Sequence, residues 1–557
     1  MKTFKLMNFL KKYYYIYLPI LITLVTVLFL EPWYDLAKDD LTIESIVHSA
    51  EYNKNSEFLV FVSFIMGYIM RFAALTFPTL NIYAITLVFS LTLAFSVFFY
   101  NTRKYNNKCI SIFVITILQI YMICGITFTV VAFVCCAAGI MATLDNVNKL
   151  NKKSIVFFVV SFILIFIGLS FRRSNVVIAI FLLFVPMSFF AVKNKRITIS
   201  ALLVLMLIFT GTNLFIKTTQ KIYVNNLFEG TDYLEFNRYR GIATDSGTLS
   251  YNKNKELFDA NGISRSDVDL CKHFLYNDKF ILPTEKLKVM AESFSFSDKY
   301  TLNPISIAAS MAREVGLCVF MISFFIISVI NFIINKKNRK EIFLSCFFVF
   351  GAILYLYIRK RGVVRVVKPI VFIGYMQMLN IFLRGQITVL ANHVQIKRFI
   401  ADAVIISVVL LAFNTIPNRG NMGSNLRKCL EYVKNDSEYM YAPFNSVRRD
   451  NIVSFKRPEP LGENIITGVY VGWMGHSPYW YSNLEKYGIE KYKDCIYLSL
   501  TDKNVKVVCG NEENLQRIIK GLEEHHNTKI ELKKEKSFGS YFICTLREKD
   551  KVSRVSK

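Results

Sequence analysis

The chain has 557 residues, of which 53% are hydrophobic and 19% charged, and its formal net charge is +26. A soluble protein of this length would rarely bury that much apolar surface in one core, and a mean hydropathy of +0.36 points to a membrane instead. The cations sit at the ends of apolar runs and outside any nucleic-acid module, so they read as loops obeying the positive-inside rule, and no nucleic-acid partner is expected.

In chain order, Lys2, Lys5, Lys11 and Lys12 precede an apolar run at 13–30. The run is long and no small-residue cleavage site follows, so it reads as an uncleaved first helix with a cytoplasmic N-terminus. It exits near Glu31-Pro32-Trp33, and the next strongly basic string is 101–108. A short apolar segment at 58–70, interrupted by Arg71, is expected to lie as an interfacial helix in an outer loop spanning 33–78. Further crossings are expected at 79–100, 109–123, 126–143, 154–170, 175–191 and 197–215. A polar outer loop at 216–312 follows, then spans at 314–335, 342–358, 367–383 and 397–416. That makes about eleven transmembrane helices in a domain at 1–416, and it places a tail at 417–557 outside the cell.

Two short basic loops fall on the wrong side of this scheme: Arg172-Arg173, and the string with Lys360, Arg361, Arg365 and Lys368. Either the helix count is off by one, or these cations bind an anion at the outer face, where charge beside the membrane is costly. The first outer loop carries Asp39-Asp40, followed by Glu44 and His48. Carboxylates there can take a proton from an acceptor hydroxyl or hold a divalent cation beside a phosphate. They can also cap a short helix from Leu41.

These features together resemble a membrane glycosyltransferase of the GT-C type, whose catalytic acidic pair lies in the first outer loop. More narrowly, the chain resembles a group of bacterial, mostly Gram-positive, multipass proteins. The shared residues are Asp39-Asp40, a Pro-x-x-x-Tyr opening of the second helix (here Pro78 to Tyr83, with one extra residue), and the Arg-rich Lys360-Arg361-Gly362-Val363-Val364-Arg365. Two outer-loop stretches also match, around Arg238-Tyr239-Arg240 to Asp245, and Gly262 to Asp267. Where that group has aromatic residues and proline after the Asp, this chain has Ser246-Gly247-Thr248. The resemblance implies a polyprenyl-phosphate-linked sugar donor in the membrane lipid and a glycan, lipid or protein acceptor in the envelope. It also implies inverting transfer with Asp39 or Asp40 as base. Arg172, Arg173, Lys360, Arg361 and Arg365 would then meet the lipid phosphate, since guanidinium forks match phosphate oxygens. A divalent cation at Asp39 and Asp40 remains an open cofactor.

Ser264 and Asp267 are spaced as a capping box for a helix reaching about His273. The tail alternates helix-like segments (422–433, 512–525) with strand-like ones (464–471, 496–500, 505–508, 539–545), which suggests a small α/β domain. Its run from Gly472 to Tyr481 holds Trp473, His476, Tyr479 and Trp480. With His48, Arg240 and Asp245 these are the candidate substrate contacts, and an interface with the membrane domain is the competing reading. Eleven cysteines show no metal-ligand spacing. The competing functions are a polysaccharide polymerase or ligase, which also uses outer-loop arginines, and a transporter or flippase, which would show paired internal halves.

Overall fold

The structure is a computed structural model that describes residues 2–549 except 35–37, 51–55, 105–107, 147–151, 193–194, 246–248, 277–278, 296–299, 390–421, 445–451, 459–461, 467–472, 474, 489–499, 501 and 503. Inside a bilayer each backbone must satisfy its own hydrogen bonds, so the apolar runs close into helices. Among the described residues seven are long and apolar enough to cross: Lys12–Phe29, Ile82–Asn101, Ile155–Arg173, Leu203–Leu227, Gly316–Ile333, Lys336–Ile358 and Val364–Phe382. Shorter apolar helices at Ser111–Ile123 and Phe128–Leu144 are buried among them. The protein is thus mainly helical, with a membrane-type helical domain and a small α/β region toward the C-terminus.

Several expectations change in detail. The pair expected at 154–170 and 175–191 is one helical element, Lys152–Val192, with a single extended residue, Arg172, inside it. The expected last span, 397–416, lies outside the described residues. The interfacial helix starts later than expected, at Phe64–Thr76, and leaves Tyr68, Ile69, Phe72 and Leu75 exposed. A second apolar helix with no buried residue, Pro304–Ala312, precedes the re-entry and leaves Ile305 exposed. Exposed apolar side chains on short helices beside the spans are what an interfacial helix presents to lipid.

The helices that build the site are named as follows: α1 (Lys2–Phe29), α2 (Lys38–His48), α3 (Phe64–Thr76), α4 (Ile82–Asn101), α5 (Lys108–Ile123) and α6 (Phe128–Asn146). At the C-terminal end of α1 the chain forms β1 (Trp33–Tyr34), which pairs in parallel with β2 (Gly125–Ile126) between α5 and α6. The tail laces across the same end. Trp33 bridges Ile452 and Leu80 bridges Lys456. Val453 donates to the Pro32 carbonyl at 2.7 Å, and Asn81 donates to the Phe455 carbonyl at 2.8 Å. The tail therefore docks on the face where α1 ends and α4 begins, a placement that does not depend on counting spans.

The soluble region holds a four-stranded sheet, made of β3 (Met440–Phe444), β4 (Val505–Cys509), β5 (Ile530–Phe538) and β6 (Tyr541–Glu548), in the order β3-β4-β6-β5. β3 and β4 are parallel, and the other neighbours are antiparallel. Of the strand-like segments, 505–508 and 539–545 correspond to β4 and β6, and 496–499 is outside the description. Of 464–471, the described part contributes one bridge, Ile465 to Tyr441.

One face of the sheet packs on the helix Met422–Asn435 through Leu426, Cys429 and Val433. The other face shares a core with the loop between the spans: Phe236, Leu270 and Met290 pack with Trp480, Val507, Leu515 and Phe542. That core crosses the boundary drawn at 416/417. The loop helix Arg265–Lys272, with the capping box at Ser264, lies along the tail helix Glu512–His526. Ser266 bonds Glu524, Asp267 bonds His525 at 2.7 Å, and Arg517 bonds Asp269 at 3.1 Å. The approach is close enough that a Cβ on Gly521 would stand 2.8 Å from Leu270 Cδ1.

Candidate active site

Adjacent residues on a helix point about 100° apart, and α2 uses this to send its two aspartates in different directions. Asp40 turns inward and is 1% exposed. Its Oδ1 accepts from the Tyr83 hydroxyl at 2.6 Å and from the Phe128 backbone N–H at 3.0 Å. Burial pushes its carboxyl up to about 7, against the opposing pull of those two hydrogen bonds; the Asp39 charge adds to the rise and Arg365 subtracts from it. Asp39 turns sideways and stays partly exposed. Its Oδ2 pairs with Arg365 Nη1 at 2.6 Å, and its Oδ1 accepts from Trp473 Nε1 at 3.2 Å.

The expected helix start at Leu41 moves forward to Lys38, and the Asp40 carboxylate, instead of capping, binds two other helices. Asp40, Glu44 and His48 follow one another at i, i+4 spacing and form a buried polar stripe. The stripe meets the N-terminus of α4 residue by residue. Tyr83 donates to Asp40, Asn81 donates to Glu44 at 2.5 Å, and the Ile82 N–H donates to His48 Nε2 at 3.1 Å. Tyr34 adds a second donor to Glu44, at 2.7 Å. A buried polar network satisfied at each step fixes a unique geometry, so the α2–α4 junction holds Asp39 in place. His48 is accordingly part of the scaffold, and its carbonyl accepts from Arg457 of the tail at 2.8 Å.

Of the five cations singled out in the sequence, two enter this constellation. Arg365 begins the helix Val364–Val389 and grips Asp39. Arg172, at the break in its helix, lies over the rings of Phe61 (5.1 Å) and Phe128 (5.3 Å) and donates to Thr129 Oγ1 at 2.9 Å. Phe61 meets the edge of Trp473 at 5.5 Å, and Phe128 is the residue whose N–H holds Asp40, so one run of contacts joins Arg172 to both aspartates. Arg173, Lys360 and Arg361 are exposed. Both loops that broke the orientation rule therefore lie at the face where α1 ends, alongside the acidic pair.

The aromatic run of the tail splits by side. Trp473 (5% exposed) and Tyr479 face the membrane domain, where Tyr479 stacks on Phe58 at 6.3 Å. His476 and Trp480 turn into the soluble core: His476 Nε2 bonds the Tyr276 carbonyl at 2.6 Å, and its ring packs on Phe236 and Trp480. Burial pulls the His476 imidazole down to about 4, so it is neutral there. Arg240 is bonded to Asn237 on its own helix and lies over Tyr276, within the soluble region. Asp245 ends its helix, and its side chain lies outside the described residues.

The sequence reading named Glu44 and Tyr83 but left them out of the site, because their roles appear only once α2 and α4 are docked. It also left out of the phosphate set Lys368, one turn beyond Arg365, which is buried 4.3 Å from the Tyr121 ring centre with Nζ 3.4 Å from the Gly125 carbonyl. The i, i+3 spacing of Arg365 and Lys368 was the available signal. As for a cation, no group of three His, Cys, Asp or Glu that could hold a metal is found among the described residues. A divalent ion on Asp39 would share that carboxylate with the Arg365 guanidinium and be repelled by its charge.

No protein-family model and no curated protein sequence matches the chain. Among solved structures, the crystal structure of ArnT from Cupriavidus metallidurans in the apo state is similar over 96% of this chain and 97% of that one, at 10% identity and a TM-score of 0.38. A likeness at that level establishes neither a common fold nor a common activity.

Proposed function

We propose that the chain is a GT-C-type membrane glycosyltransferase, moving a sugar from a polyprenyl-phosphate donor to an envelope acceptor at the outer face. The observation that carries this reading is the partly exposed Asp39–Arg365 pair beside a second carboxylate, at the end of the helical bundle and with Arg172 close by. Asp39 is the base. It takes the proton of an acceptor hydroxyl as that oxygen attacks the anomeric carbon from the face opposite the phosphate. The bond from carbon to phosphate oxygen breaks, and the electron pair leaves with the polyprenyl phosphate. Arg365 and Arg172 meet that developing charge, and donors of this kind contribute roughly 3–4 kcal/mol each in partly dry sites. Asp40 is too buried to touch substrate and acts by positioning α2.

The test uses lipid extracts from cells lacking the protein, in which the unused polyprenyl-linked sugar accumulates. Asp39→Asn should leave that pool as high as in deleted cells. Asp40→Asn should lower it to within about tenfold of normal, because an amide oxygen still accepts from Tyr83 and Phe128. An active Asp39→Asn protein, or no accumulating lipid-linked sugar in deleted cells, rejects the reading.

A further inference from the structure

The soluble tail packs into two cores, one of them shared with the loop between the spans, yet Val453 and Trp473 belong to the core of the membrane domain, with Phe455 and Tyr479 packed against it. Trp473 is held at both ends. Its carbonyl accepts from the buried Tyr233 hydroxyl at 2.5 Å, and its ring lies against Phe61. Between those two anchors its indole N–H points at Asp39 Oδ1, while Arg365 holds Oδ2. The strap at 452–457 pins the same part of the tail to β1 and to the start of α4.

A carboxylate held at one oxygen only can rotate about its last torsion, which is broad for Asp. Two donors on different oxygens remove that freedom. We infer that Trp473, supplied by the C-terminal domain, is a positioning residue for transfer: with Arg365 it fixes the plane of the Asp39 carboxylate, so the base is aimed only while the soluble domain is docked. This inference rests on Asp39 being the base. Each carboxylate oxygen has a second lone pair, so the indole fixes Oδ1 and still leaves it able to accept the acceptor hydroxyl. Chemistry would then be coupled to docking of the soluble domain.

The experiment compares full-length protein with Trp473→Phe, Trp473→Ala and Asp39→Asn in lipid nanodiscs. The donor probe is the lipid-linked sugar fraction extracted from deleted cells, and the acceptor is the envelope fraction of the same cells. Trp473→Phe keeps a ring against Phe61 and loses the N–H. Its kcat should fall about 10- to 100-fold, the scale of a lost hydrogen bond to a charged group. Its KM for the donor should stay within about twofold and its thermal midpoint should fall by no more than about 3 °C. Trp473→Ala should lose at least as much kcat. An unchanged kcat in Trp473→Phe, or a loss expressed in KM alone, overturns the positioning role while Asp39→Asn remains inactive. Activity in Asp39→Asn overturns the base assignment beneath it.

Discussion

Replacing Asp40 with Asn should stabilise the protein above neutral pH. The carboxyl goes from an ordinary value of 3.8 to about 7 when burial strips its water. Between those values the folded protein keeps a proton that the unfolded chain releases, so stability falls as pH rises from about 4 to about 7 and is level beyond. A difference of about three pH units at 1.36 kcal/mol each is roughly 4 kcal/mol. Asn removes the titration and still offers an oxygen to the Tyr83 hydroxyl and the Phe128 N–H. With an unfolding entropy of about 2.1 cal/mol/K per residue, roughly 4 kcal/mol raises the midpoint of a chain this long by about 3–4 °C. His476 works in the opposite sense. Its folded value of about 4 lies below 6.5, so its contribution is present above 6.5 and lost as pH falls toward 4, a span of roughly 3 kcal/mol. The parent should thus vary little across this range, whereas Asp40→Asn should show the exposed His476 dependence and be destabilised by acid. Thermal unfolding of detergent-solubilised protein at pH 5 and pH 8 measures this. A variant less stable than the parent at pH 8, or offset from it equally at both pH values, refutes the reasoning.

Two further predictions concern the soluble region and the orientation of the chain. Gly521→Ala places a methyl 2.8 Å from Leu270 where the loop and tail helices touch, and should lower stability by about 1–3 kcal/mol, read as a lower thermal midpoint. For topology, Gly362 is a poor probe site because a Cβ there would sit 2.5 Å from the Tyr357 ring. Arg361 is exposed, and Arg361→Cys should react in intact cells with a membrane-impermeant maleimide, while Cys at Lys337 should react only after permeabilisation. The reverse pattern places the aspartates in the cytoplasm.

Most of the membrane helices were legible because bilayer thickness sets a minimum length for a span, whereas the expected crossings at 109–123 and 126–143 are apolar helices shorter than the seven that reach it among the described residues. The acidic pair and the arginines were legible as charge where charge is costly. Pairings between distant segments were not. β3 contains Pro443, which reads as a strand breaker, and the strand survives because it ends the four-stranded sheet, where the bridge on its other side is made at Tyr441 and not at Pro443. β5 reads Ile-Glu-Leu-Lys-Lys-Glu-Lys-Ser-Phe without alternation, because it forms the other edge, where lysines discourage strand addition. The joint core of loop and tail unites residues on either side of four predicted spans, and no local period encodes that. Likewise Tyr83 sat in a quoted motif without a role, since its partner Asp40 is 43 positions away.

The cations that broke the orientation rule divide in a way that bears on why the chain keeps them. Arg173, Lys360 and Arg361 are exposed beside the spans, within reach of phosphate headgroups. Arg172, Arg365 and Lys368 are not. Each is drawn inward and held by protein: Arg172 by two ring faces and a hydroxyl, Arg365 by Asp39, and Lys368 by a tyrosine ring and a carbonyl. Arg365 meets a carboxylate, whereas the described ring faces and oxygens around Arg172 and Lys368 are uncharged. Dispersed aromatic faces and neutral oxygens lower the cost of burying a cation without cancelling its charge. On the proposed reading, positive charge held this way beside Asp39 is what an anionic leaving group would meet.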